Sequence, residues 1–105
     1  MGRGKNEETV RLLRSLAFHI HKKIPAAEAL GGCFEAEGRG GRHRQWRPAV
    51  TVLEAEGFVP ALLTAELVGD EASVVLAAIV DNGGDHRLLS AAITALADRA
   101  ERQGD

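Results

Sequence analysis

Apolar residues in this chain return every three or four positions, Gly or Pro interrupts them at intervals, and strict period-two alternation is never sustained. A return at three and four gathers apolar groups on one side of a helix, whereas a half-buried strand needs alternation and a partner for its ladder. The pattern predicts an all-α fold, a compact bundle of about six helices near residues 9–22, 25–37, 42–56, 58–68, 70–81 and 86–103.

In the first helix Val10, Leu13, Leu16, Ala17 and Ile20 make one stripe, with acids at its start and Lys22 and Lys23 at its end, as the helix dipole favours. Pro25 suits a first turn, where its missing N–H has no intrahelical partner, and Ala26, Ala29, Leu30, Cys33 and Phe34 form the next inward face. The glycine-rich GRGGRH from Gly38 breaks that pattern, and Trp46, Ala49, Val50 and Leu53 resume it up to Gly57. Leu62, Leu63 and Leu67 point inward from a short fourth helix, and Gly69 and Asp70 mark the turn into a fifth. Its β-branched run ASVVLAAIV, 72–80, also suits a buried strand, but the chain offers no second strand to pair with it. Asn82, Gly83 and Gly84 stop the fifth helix, and Asp85 caps a sixth whose apolar stripe runs through Leu88, Leu89, Ala92, Ile93, Leu96 and Ala100.

Length and charge narrow the function classes. A chain of 105 residues and 11.2 kDa makes one domain, expected over 9–103 after a flexible segment 1–8, with a single small core and little room for a deep active site. A net charge of −2 and a pI near 6.1 put no strong field around the molecule, so binding to nucleic acid or anionic lipid would need a local patch. One cysteine, Cys33, excludes an internal disulfide framework and fits a reducing, cytoplasmic setting. The polar start MGRGKNEETV has no signal-peptide core, and the longest mainly apolar run, 72–80, is about half of the roughly 20 residues a membrane helix needs.

The chemistry-bearing residues are sparse. His19 and His21 lie two apart, roughly 200° around a helix, which rules out chelation of one metal by both. His86 with Asp81 and Asp85 could begin a metal or enzymatic site, but one nitrogen ligand without a spacing signature reads better as a helix start. Cys33 has no activating base near it in sequence. The basic element GRGGRHRQWR, with Arg39, Arg42, Arg44, Arg47 and Trp46, resembles an arginine-rich nucleic-acid contact. A solvated or protein-contact loop ranks ahead of that reading, because the charge is local and Trp46 falls where the third helix needs an anchor. The glycines are no phosphate loop, since neither a preceding strand nor a following GKS or GKT is present. Catalytic residues, a cofactor and a metal ligand set are not expected.

The order of the motifs carries a resemblance. Leu12, Arg14, Leu16 and Ala17, with Ser15 in place of a glutamine, stand as the apolar residue and Arg-Gln-Leu-Ala of the type II secretion system F protein domain. Pro25, Glu28, Ala29 and Leu30 follow at that family's spacing for Pro and Glu-Ala-Leu. Leu53 to Gly57 (LEAEG), Ala61 with Leu62, the turn IVDNGG ending at Gly84, and Leu89, Ile93, Leu96, Ala97 and Glu101 continue the likeness over roughly residues 10–102. Two positions depart from the family: its turn glutamate is Gly84 here and a later glycine is Arg87, so no ligand is carried over to this turn. The family's Asn-Pro between the second and third helices is replaced by the arginine-glycine loop, and its transmembrane segments have no counterpart in this chain.

The family comprises inner-membrane platform proteins, those of type IV pili among them, whose cytoplasmic domains contact the assembly ATPase and other platform components. The resemblance therefore implies a non-catalytic protein–protein interaction domain, cytoplasmic or held at the inner membrane through a complex, either an excised domain or a free-standing relative. The residues themselves point the same way, because Leu12 and Phe18 on the first helix and Val74 and Val75 on the fifth exceed what one inward stripe holds, although the first helix could equally be buried on more than one side inside the bundle. Surplus apolar surface on a small domain marks a partner site or a homodimer face. The expected contact residues are Leu12, Phe18, Val74 and Val75, the loop residues Arg39, Arg42, Arg44, Trp46 and Arg47, and Arg14 with Glu28, which stand either as an interhelical salt bridge or as two solvated charges.

Overall fold

The structure, a computed structural model, describes residues 2–39 and 43–103, with side chains over 7–39 and 45–103. Among them are six helices: α1 (Gly2–His21), α2 (Ala26–Glu37), α3 (His43–Glu56), α4 (Phe58–Thr64), α5 (Asp70–Asp81) and α6 (His86–Gln103). No strand occurs among the described residues, and the ambiguous run 72–80 is helical throughout. The Cα radius of gyration is 12.6 Å, close to the roughly 13 Å of a compact chain this long, so the helices form one body.

The organising pair is α1 with α6, which share the most extensive helix contact. They run antiparallel: His21 lies beside His86 at one end, and Arg14 reaches Asp98 and Glu101 toward the other. The remaining helices pack in chain order, α1 on α2, α2 on α3 and so on to α5 on α6, which closes the circuit. Leu12, Leu13, Leu16 and Ile20 of α1 meet Leu30, Leu62, Leu76, Leu89 and Ile93 in the fully buried centre. Each such side chain stabilises the fold by about 1.5–3 kcal/mol through burial.

Of the two readings of the first helix, burial on more than one side holds for Leu12, which is therefore a core residue and not a contact residue. Its exposure is 1%, because α1 is flanked by α2 and α6 and buries an arc wider than one stripe. Leu88, placed on the inward stripe by its spacing, is instead 56% exposed. The buried line of α6 is Leu89, Ile93 and Ala97, and Leu88 lies off its edge.

Helix ends follow from backbone chemistry. At the end of α1, Lys23 takes φ 73° while its N–H donates to Ile20 O (2.9 Å) and Ile24 N–H donates to His19 O (3.2 Å), a closure that satisfies the last carbonyls. The end of α5 closes in the same way with Gly83 at φ 110° and Gly84 at φ 63°, whose N–H groups donate to Val80 O and Ile79 O. A side chain is disfavoured at such φ values, which accounts for the paired glycines. The chain also turns earlier than expected after α4. Glu66 adopts φ 59° and Leu67 N–H donates to Leu62 O (3.0 Å), so the helix ends at Thr64 while Leu67 still reaches the core. The first helix begins at Gly2 rather than near residue 9, and Pro25 sits at the N-cap of α2 with ψ 140° instead of inside its first turn.

Candidate interaction surface

The fifth helix is almost wholly apolar between its acidic ends, yet Ser73 and Leu76 are its only buried residues. Ser73 satisfies its hydroxyl locally by donating to Asp70 O (2.6 Å). Val74 is 70% and Val75 56% exposed, and Ala78 is exposed beside them. Glu71, Val74, Val75 and Ala78 stand at i, i+3, i+4 and i+7, the spacing of one helix face, and Asp81 continues the same row. The helix packs on α4 and α6 through its narrow buried edge, so two β-branched side chains face solvent while a serine faces the interior. This inverts the usual amphipathic order.

A second exposed apolar residue lies on α1. Phe18 is 56% exposed beside a shallow groove between α1 and α6 lined by Ala17, Ala91 and Ala95. Its ring meets His19 edge-on at 5.6 Å, and Lys22 Nζ lies 4.5 Å from its centroid.

The charged candidates are arranged differently from the expectation. Arg14 pairs with Asp98 (3.0 Å) and Glu101 (2.9 Å) on α6, not with Glu28, because the antiparallel α1–α6 contact turns it toward that helix. Glu28 is exposed in the first turn of α2. The pairing raises the Arg14 pKa above its ordinary value, chiefly through the hydrogen bond to Asp98.

The basic element does not form a single nucleic-acid face among its described residues. Trp46 is only 4% exposed and stacks on Phe34, with centroids 5.5 Å apart and planes at 25°. A base cannot stack on a ring already held in the core, so Trp46 is an anchor rather than a contact residue. Its indole N–H is buried without a hydrogen-bond partner. Arg39 pairs with Glu35 (2.8 Å), and exposed Arg47 borders an α2–α3 groove whose rim also carries Glu35 and Glu54. Arg42 lies outside the described residues, as does the side chain of Arg44.

The alternative site around His86 also resolves into helix ends. Asp85 accepts hydrogen bonds from the N–H groups of Arg87 (2.8 Å) and Leu88 (3.2 Å) as the N-cap of α6. The bonds from Leu88 and Arg87 lower its pKa. The His86 ring lies 6.5 Å from that of His21, and no group of three or more His, Cys, Asp or Glu among the described residues is placed to hold a metal ion. Cys33 is buried, its thiol donates to Ser15 Oγ (3.7 Å), and burial pushes its pKa up, away from the reactive thiolate. Among the described residues no helix is long and apolar enough to cross a membrane.

The Asp85 cap has a pH signature. A carboxylate whose pKa is lowered on folding contributes stability above its unfolded pKa, near 3.9, and that contribution is lost as pH falls through the folded value. Asp85→Ala is therefore expected to lower the melting temperature at pH 7, with the difference from the parent shrinking below about pH 4. Thermal melts of the two proteins between neutral and acid pH check this, and a difference that is unchanged at the acid end would reject the cap as its source.

Comparison with protein-family models, curated proteins and solved structures finds no match to this chain.

Proposed function

We propose that this chain is a non-catalytic interaction domain of the kind found in the cytoplasmic part of type II secretion and type IV pilus platform proteins, and that it works at the cytoplasmic face of such a machine by contacting the assembly ATPase or another platform component. The observation that carries this reading is the outward apolar row of α5. A helix that buries a serine and exposes Val74 and Val75 is better matched to a surface that is covered in use than to a solvated one. The ordered motifs from Leu12 to Glu101 support the family part of the reading, and the six-helix architecture is compatible with it.

The test is direct binding of the purified chain to the assembly ATPase and to platform components of such a system, by calorimetry. Val74→Gln/Val75→Gln is expected to weaken the wild-type interaction at least about tenfold, about 1.4 kcal/mol. Both positions face solvent, so the double variant should fold as the parent does. Absence of binding by the wild type at roughly 100 μM, or binding that the variant leaves unchanged, would reject the proposal.

A further inference from the structure

The near-neutral total charge conceals a segregation along the chain. Residues 48–86 contain no Lys or Arg, although Glu54, Glu56, Glu66, Asp70, Glu71 and Asp81 all fall there, and all 13 Lys and Arg lie outside that segment. The segment forms most of α3, all of α4 and α5, and the turn into α6. The exposed valines of α5 thus sit in a stretch of chain that carries carboxylates and no Lys or Arg. Glu71 and Asp81 are exposed at the two ends of the Val74, Val75 and Ala78 row itself. The basic residue nearest in sequence, Arg87, lies beyond the Asn82, Gly83 and Gly84 turn on a different helix.

We infer that the α5 face receives a basic amphipathic helix of a partner protein, its apolar stripe lying along Val74, Val75 and Ala78 and its Lys or Arg side chains meeting Glu71 and Asp81. This rests on the interaction reading above and specifies the partner's chemistry. An apolar row at i, i+3, i+4 and i+7 is the footprint of helix-on-helix recognition, and oppositely charged flanks steer encounter and fix register. The same charges argue against the other occupants. An anionic lipid surface would be repelled by a row that carries Glu71 and Asp81 and no Lys or Arg of its own. A second copy laid along the row would set Glu71 and Asp81 against their own equivalents when parallel and against each other when antiparallel, and like charges facing each other across an interface oppose pairing.

The experiment uses the full chain and two synthetic helices of about 18 residues with one shared Leu/Ile stripe, flanked in one by Lys and in the other by Glu, followed by fluorescence anisotropy. The Lys-flanked helix is expected to bind at least about tenfold more tightly at low salt, with the preference narrowing as ionic strength rises. Val74→Gln/Val75→Gln should abolish most of that binding, and Glu71→Lys with Asp81→Lys should reverse the preference. Equal affinities, binding to neither helix, or binding indifferent to the α5 variants would overturn the inference. So would uptake of the chain by phosphatidylglycerol vesicles, or a concentration-dependent dimer that the valine variant disperses, each reversed by that variant. If the ATPase or platform contact depends on Val74 and Val75 while the peptides fail, the partner's chemistry is wrong and the interaction reading stands. If the peptides behave as expected while those machine components do not bind, the reverse holds.

Discussion

Leu12→Ala is expected to destabilise the protein by about 2–5 kcal/mol, whereas Phe18→Ala, six positions along the same helix, should cost less than about 1 kcal/mol. Both are large apolar residues of α1, and the sequence alone groups them as surplus. The structure separates them, with Leu12 1% and Phe18 56% exposed. Truncating Leu12 removes buried methyl groups and leaves a cavity between α1 and its neighbours, which relax only in part. Removing Phe18 gives up its contacts with His19 and Lys22 at the surface, where a cation over an aromatic ring contributes about 0.5–1 kcal/mol. Urea unfolding of the parent and the two variants decides the matter. Comparable losses for both would mean that the α1–α6 contact is wrongly placed.

The second large effect is at Trp46. Trp46→Ala should cost about 3–5 kcal/mol, since it empties a site stacked on Phe34 in the core. Trp46→Phe should cost much less. It keeps the stacked ring and discards an indole N–H that is buried without a partner, and an unsatisfied buried donor carries a penalty of about 1–3 kcal/mol that offsets the lost volume. Equilibrium unfolding again provides the readout. A Phe variant as unstable as the Ala variant would show that the indole N–H makes a bond of real worth.

Those two residues show where sequence reasoning reaches and where it stops. Helix existence was legible because spacing and breakers are local: Asp85 caps α6 as its side-chain chemistry predicts, and Gly83 with Gly84 ends α5 at positive φ. The surplus at Val74 and Val75 was legible too, because no single face of α5 holds every apolar residue it carries. Which neighbour of a pair faces inward was not. Leu12 is buried because α1 has helices on two sides, a fact set by the closing contact between the two ends of the chain, and Leu88 is exposed because the buried line of α6 runs through Leu89, Ile93 and Ala97 beside it. Arg14 illustrates the same limit, since its partner Glu101 is 87 residues away. Trp46 stands among arginines in sequence, although its position at the start of an apolar stripe suggests an anchor. The charge segregation over 48–86 is written plainly in the sequence, but the net charge of −2 averages it away.

On the proposed reading this domain acts by being bound, with α5 as the contact surface. The most direct measurement is an amide NMR titration of the isotopically labelled full chain with the assembly ATPase of a type II secretion or type IV pilus system. The largest shift changes are expected on Glu71, Val74, Val75 and Ala78, and Val74→Gln/Val75→Gln is expected to remove them. Changes confined to Arg39 and Arg47, changes confined to Asp85 and His86, or a spectrum unmoved by the ATPase would contradict it.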